Sequence, residues 1–100
     1  MAVISKVLSR TAAATTNTTL YTTTAGSTAV VTNILAANTS ASAGTFTINF
    51  NSVAAFSSVP VGGNQTVSID LKQVVPATQI VSGSASTTAI NFHISGVEIV

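Results

Sequence analysis

Five of the 100 residues carry a formal charge: Lys6, Arg10, Asp70, Lys72 and Glu98. His93 is the single histidine, Tyr21 the single tyrosine, and cysteine is absent. Without cysteine no thiolate attacks a substrate or ligates a metal, and no disulfide braces the fold. A Ser–His–Asp hydrolase would have to draw on His93 and Asp70, yet no serine sits on a nucleophile elbow. One histidine and two carboxylates far apart in sequence do not make a metal site. Gly62-Gly63 is followed by no Lys-Ser/Thr pair and opens no helix, so it is not a phosphate loop. The inventory predicts a protein without catalysis and without a cofactor.

The same side chains have a different use at a protein–protein contact. Asp70 and Lys72 are two apart and project from one strand face, either to pair with each other or to reach a neighbouring subunit. As an exposed pair they stabilise by only about 0–1 kcal/mol, so they set register more than strength. Lys6 and Arg10 lie on an N-terminal arm, placed to grip an acidic partner surface or simply solvated. His93, between Phe92 and Ile94, falls on the polar side of its strand as a hydrogen-bonding surface or interface residue. Lys6, Arg10, Asp70, Lys72 and His93 are therefore the candidate subunit-interface residues.

The elements that must carry these residues are strands. Phe46, Ile48 and Phe50 alternate with Thr45, Thr47 and Asn49, as a half-buried strand requires. Val67, Ile69 and Leu71 alternate with Thr66, Ser68 and Asp70 in the same way. Residues 28–37 are largely apolar on both faces, which predicts a strand that is central or bent across the core. A strand is also read at 20–24, with Ala25-Gly26-Ser27 as the turn after it. Residues 53–56 read as a short strand or turn, 57–64 as a loop punctuated by Pro60, Gly62 and Gly63, and 79–85 as a segment carrying Ile80 and Val81 that passes at Gly83 into a Ser-rich turn. In the last segment Ile90, Phe92 and Ile94 share one face, and Gly96 marks a phase slip after which Val97 and Ile99 continue that face, as at a β-bulge. Residues 1–10 fit either a helical stripe or an edge strand or arm, and 11–19 an extended Thr-rich linker or a polar strand lip. The expectation is an all-β protein: an antiparallel, jelly-roll-like β-sandwich of seven or eight short strands. Residues 1–19 form an N-terminal arm or edge strand plus linker, and 20–100 the sandwich domain.

Charged residues make up 5% of the chain, against about 25% in an average soluble protein. None occurs between Thr11 and Ile69. The polar surface must then be Thr, Ser and Asn. A hydroxyl is satisfied by one partner where an ion needs several, so such a surface is desolvated at little cost. It reads as a surface covered by neighbours; the alternative is a stable surface domain that prefers hydroxyls. A net charge of +1 argues against nucleic-acid binding. No run of about 18 apolar residues is present to span a membrane as a helix. The opening residues lack the basic-then-apolar order of a signal peptide, which predicts a protein made and used in the cytoplasm or released by lysis.

The stretch from Leu20 to Ile34, with the pattern LYT-x-x-AG-x-TAVVT-x-I, and the closing strand from Ile90 to Ile99, ending Ser95-Gly96-Val97-Glu98-Ile99, resemble small β-sandwich virion proteins of tailed bacteriophages. The resemblance spans about Leu20 to Val100, with Thr24 where those proteins often have Pro and Ser27 where they often have Lys or Glu. It implies a decoration or cement protein on the capsid surface, a homotrimer bridging capsomers, with the major capsid protein as partner. A tail, fibre-base or head-fibre module that binds a receptor or glycan is the alternative it implies.

Overall fold

A computed structural model describes residues 2–100. These residues form eight strands: β1 (Val3–Ala12), β2 (Thr18–Thr22), β3 (Thr28–Asn38), β4 (Gly44–Phe50), β5 (Val53–Val61), β6 (Thr66–Val75), β7 (Ile80–Ala85) and β8 (Ile90–Ile99). They build two four-stranded sheets, in the orders β1-β8-β3-β6 and β2-β7-β4-β5, with every pairing antiparallel. The topology is that of one long hairpin rolled up. β1 pairs with β8, β2 with β7, β3 with β6 and β4 with β5. Rolling then joins β3 to β8 and β4 to β7. This is the jelly-roll order. The tip of the long hairpin is the two-residue turn Asn51-Ser52, both with positive φ (50° and 65°), between the paired Phe50 and Val53. Left-handed conformation at both central residues gives the twist that antiparallel strands need. At the other end Ala2 and Val100 exchange two backbone hydrogen bonds, of 3.1 and 2.9 Å.

The core lies between the sheets. Phe46 from one sheet meets Phe92 from the other edge to face, with ring centroids 5.9 Å apart. Ile34, Ile48, Ile90, Ile94, Val31, Val61, Val75 and Val81 complete it with negligible exposure. Phe50 and Phe56 pack against its margin. The polar Asn38 is buried and holds the loop after β3: its Nδ2 donates to the Ser42 and Val61 carbonyls at 2.9 and 3.3 Å, and its Oδ1 accepts from the Ser40 amide at 3.0 Å.

Of the readings open for residues 1–10, the structure has the edge strand, and the segment after it is tied to both sheets, Ala13 N–H to the Ile90 carbonyl at 2.8 Å and Ala85 N–H to the Ala14 carbonyl at 2.9 Å. Other expectations change: β7 runs on through Gly83 to Ala85, where a turn is expected. The loop expected over 57–64 is mostly strand, since β5 runs through Pro60 to Val61. Proline is admitted because β5 is an edge of its sheet and owes no outward N–H to a neighbour. The phase of β8 does not slip at Gly96. Ile90, Phe92, Ile94, Gly96 and Glu98 are all buried on one face, and Val97 and Ile99 point outward. The bulges lie instead on the two strands flanking β8, at Leu8 in β1 and Thr32 in β3. Glycine is required at 96 because a Cβ there would meet the Val30 carbonyl oxygen, which the β3 bulge presses close. The bulge at Thr32 also shifts the alternation of β3, burying Ala29 and Val31 before it and Ile34 and Ala36 after it.

Candidate interaction surfaces

All five charged residues lie on one sheet: Lys6 and Arg10 on β1, Asp70 and Lys72 on β6, Glu98 on β8. The second sheet has none. The described residues enclose no pocket, and no three His, Asp or Glu side chains among them gather as metal ligands would. The surfaces that remain are the two outer sheet faces, the edges, and one polar cluster at the open side between β1 and β2.

That cluster joins the sheets. Glu98, 8% exposed, points inward from β8 and accepts a 2.6 Å hydrogen bond from the Tyr21 hydroxyl on β2. Lys6 Nζ, on β1 opposite Gly96, donates to the same carboxylate at 3.3 Å and lies 5.7 Å from the centre of the Tyr21 ring. The hydrogen bond from Tyr21, reinforced by that from Lys6 and its positive charge, holds the Glu98 carboxyl below the usual range, against the opposing effect of burial. Burial first, and then the hydrogen bond and charge of Glu98, push the Tyr21 phenol up to about 12. Lys6 thus lies at the open side between the sheets, its side chain still 41% exposed, and is engaged by its own chain.

The other candidates lie on the outer face of the first sheet. Arg10 and His93 are direct cross-strand partners, and Arg10 Nε donates to His93 Nδ1 at 3.1 Å. An imidazole that accepts at Nδ1 carries its proton on Nε2. Asp70 accepts from Asn33 Nδ2 at 2.9 Å. Lys72 is exposed beside the bulge at Thr32; among the described residues the one ion pair is Lys6–Glu98, and Lys72 and Asp70 do not form one. Register sets this face in rows. Val3, Ile99 and Thr28 form the first; Ser5, Val97, Val30 and Val74 the second; Val7, Ser95, Asn33 and Asp70 the third; Arg10, His93, Leu35 and Ser68 the fourth. Val3, Val7 and Val74 are 66%, 48% and 56% exposed.

The outer face of the second sheet is different. Thr45, Thr47 and Asn49 point outward because Phe46 and Ile48 point in, and Ser82, Ser84 and Thr19 lie beside them in register. Asn49 Nδ2 donates to Asn17 Oδ1 at 3.0 Å. Ala54 and Pro60 of β5 and Ile80 of β7 share this face, and Ser82 is buried within it, so the face carries no ion and mixes hydroxyls and amides with a few small apolar groups.

Comparison with known proteins returns nothing: no family model, no curated sequence and no solved structure matches this chain.

The inter-sheet cluster escaped sequence reasoning. A phase slip at Gly96 sets Glu98 on the outer face, whereas in the structure it lies on the inner one. Strict alternation from Ile90 onward would have placed Gly96 and Glu98 inside. A buried carboxylate needs donors, and this chain has few side chains stronger than a hydroxyl or amide to supply them.

Proposed function

We propose that this chain is a structural virion protein without catalysis, which decorates or cements a phage capsid shell by bridging neighbouring capsomers. Its partners are the major capsid protein and further copies of itself; it is made in the host cytoplasm and ends on the capsid surface. The observation that carries this reading is the segregation of charge. Every ion lies on one sheet, which leaves the second sheet an outer face without charge, rich in Thr, Ser and Asn. A partner laid on that face strips water from groups that one hydrogen bond each satisfies, and no charge has to be desolvated. Cementing draws on such extended contact rather than on a cleft. The resemblance of the Leu20–Ile34 and Ile90–Ile99 stretches to tailed-phage proteins supplies the virion setting.

The glycan-binding alternative wants a free aromatic ring. Tyr21 has its hydroxyl on Glu98 and Lys6 near its ring, and Phe46 and Phe92 are core. The test is the number of copies per purified particle, by quantitative mass spectrometry, together with the heat stability of particles that lack the protein. A copy number near that of the shell protein and less stable depleted particles are expected. A few copies per particle, or none, overturns the reading.

A further inference from the structure

We propose that the outer face of the β1-β8-β3-β6 sheet binds a second copy of this chain, face to face about a two-fold axis parallel to the strands, with Arg10 of each copy against Asp70 of the other. The proposal goes beyond the virion reading and does not depend on it.

The edges of this molecule are poorly built for sheet extension. β1 and β2 are each bulged, β5 carries Pro60 and two irregularities, and β6 meets the bulge of β3. Such devices keep edges from pairing with other chains. The outer face of the first sheet has no comparable guard. Its second row is Ser5, Val97, Val30 and Val74, and the row beside it Val3, Ile99 and Thr28. Four strands about 4.8 Å apart and about 33 Å long present about 600 Å². Two such faces together bury about 1,200 Å², above the roughly 1,000 Å² that a specific interface needs.

The charges choose the axis. Arg10 sits on β1, at one edge of the sheet, and Asp70 on β6, at the other, one row apart. A two-fold axis along the strands keeps each row opposite its own copy and exchanges the edges. The valine row then meets itself, and each Arg10 lies over the partner's β6, about 7 Å along the strand from its Asp70 and about twice that from its Lys72. An arginine side chain spans that shorter offset. An axis across the strands through the third row would instead set Asp70 against its own copy, a like-charge contact that disfavours the pairing. The interface is isologous and closes with two copies. A trimer of the kind the resemblance implies would have to form through other surfaces.

Sedimentation equilibrium and light scattering of the purified full chain test this. The wild type is expected to be a dimer. Arg10→Asp and Asp70→Arg should each raise the dimer dissociation constant by at least about tenfold, and the double swap should restore it. Because the two residues lie about 14 Å apart across one sheet, that rescue cannot come from within a chain. Val74→Asp, at an exposed edge position in the apolar row, should also weaken the dimer, and circular dichroism should show all variants folded. A monomeric wild type, a trimer indifferent to the swaps, or single swaps without effect on dimerisation overturns the proposal.

Discussion

Tyr21 and Glu98 hold the two sheets together at the side where β1 and β2 meet, and each changes the other's protonation. Tyr21 is the only tyrosine and tryptophan is absent, so its near-ultraviolet absorbance reports one group. The tyrosinate signal should rise with a midpoint of about 12 in the native protein, and Glu98→Gln should move that midpoint down toward 10.0. The raised value favours the neutral phenol in the folded state. The unfolded chain releases its proton first, so stability should be complete below pH 10.0 and fall as pH rises toward about 12. Glu98 acts in the opposite direction. Its carboxyl is held low in the folded state, so its contribution is present above pH 4.5 and is lost as the solution is acidified through the folded-state value. Urea midpoints across both ranges, in wild type and Glu98→Gln, measure the two effects. The variant should lose the acid slope, because the titrating carboxyl is gone, and keep a reduced alkaline slope, because Tyr21 stays buried after its hydrogen bond and the charge of Glu98 are removed.

At the scale of elements, the hairpin tip and the core seam are the points of leverage. Ser52 holds φ 65° in the β4–β5 turn, a conformation that glycine enters without a Cβ penalty. Ser52→Gly should therefore stabilise the protein by about 1 kcal/mol, read as a higher urea midpoint with an unchanged slope. The Phe46–Phe92 contact joins the middle strands of opposite sheets. Phe46→Ala should cost about 3–5 kcal/mol, since the surrounding strands cannot close on the space left behind. Much of this scale is legible in the chain itself. The alternation of Phe46, Ile48 and Phe50, the two apolar faces of residues 28–37, and the turn around Gly26 all correspond to elements of the structure. Pro60 and Gly96 were misleading because each residue type has two meanings. Proline ends a central strand but is admitted at an edge, and glycine marks either a slip in its own strand or the close approach of another. Which meaning applies depends on the neighbouring strand.

For the whole molecule, rolled topology governs folding. Only β4 and β5 are joined by a tight turn; β1 must find β8 across nearly the full chain. Loop closure precedes most of the stabilising contacts, so stopped-flow refolding should take milliseconds to seconds. Folding within microseconds would show that most of the barrier lies elsewhere. The same rolling places all the ions on one sheet. Lys6, Arg10, Asp70, Lys72 and Glu98 are spread over the ends of the sequence, yet β1, β6 and β8 belong to a single layer. The other layer is left free of charge over its whole outer face.

An all-β chain, an interior of phenylalanine and branched aliphatic residues, and a polar surface nearly free of ions can all be read from the order of the residues. These are local properties: side-chain alternation and composition report whether a residue faces an interior, whatever that interior is made of. Which strands are edges, that Glu98 meets Tyr21 and Lys6, and that Arg10 and Asp70 lie at opposite margins of one face are known from the folded chain alone. Those facts depend on pairing between strands far apart in the chain, and a residue carries no mark of the strand it will lie beside until the long hairpin rolls up.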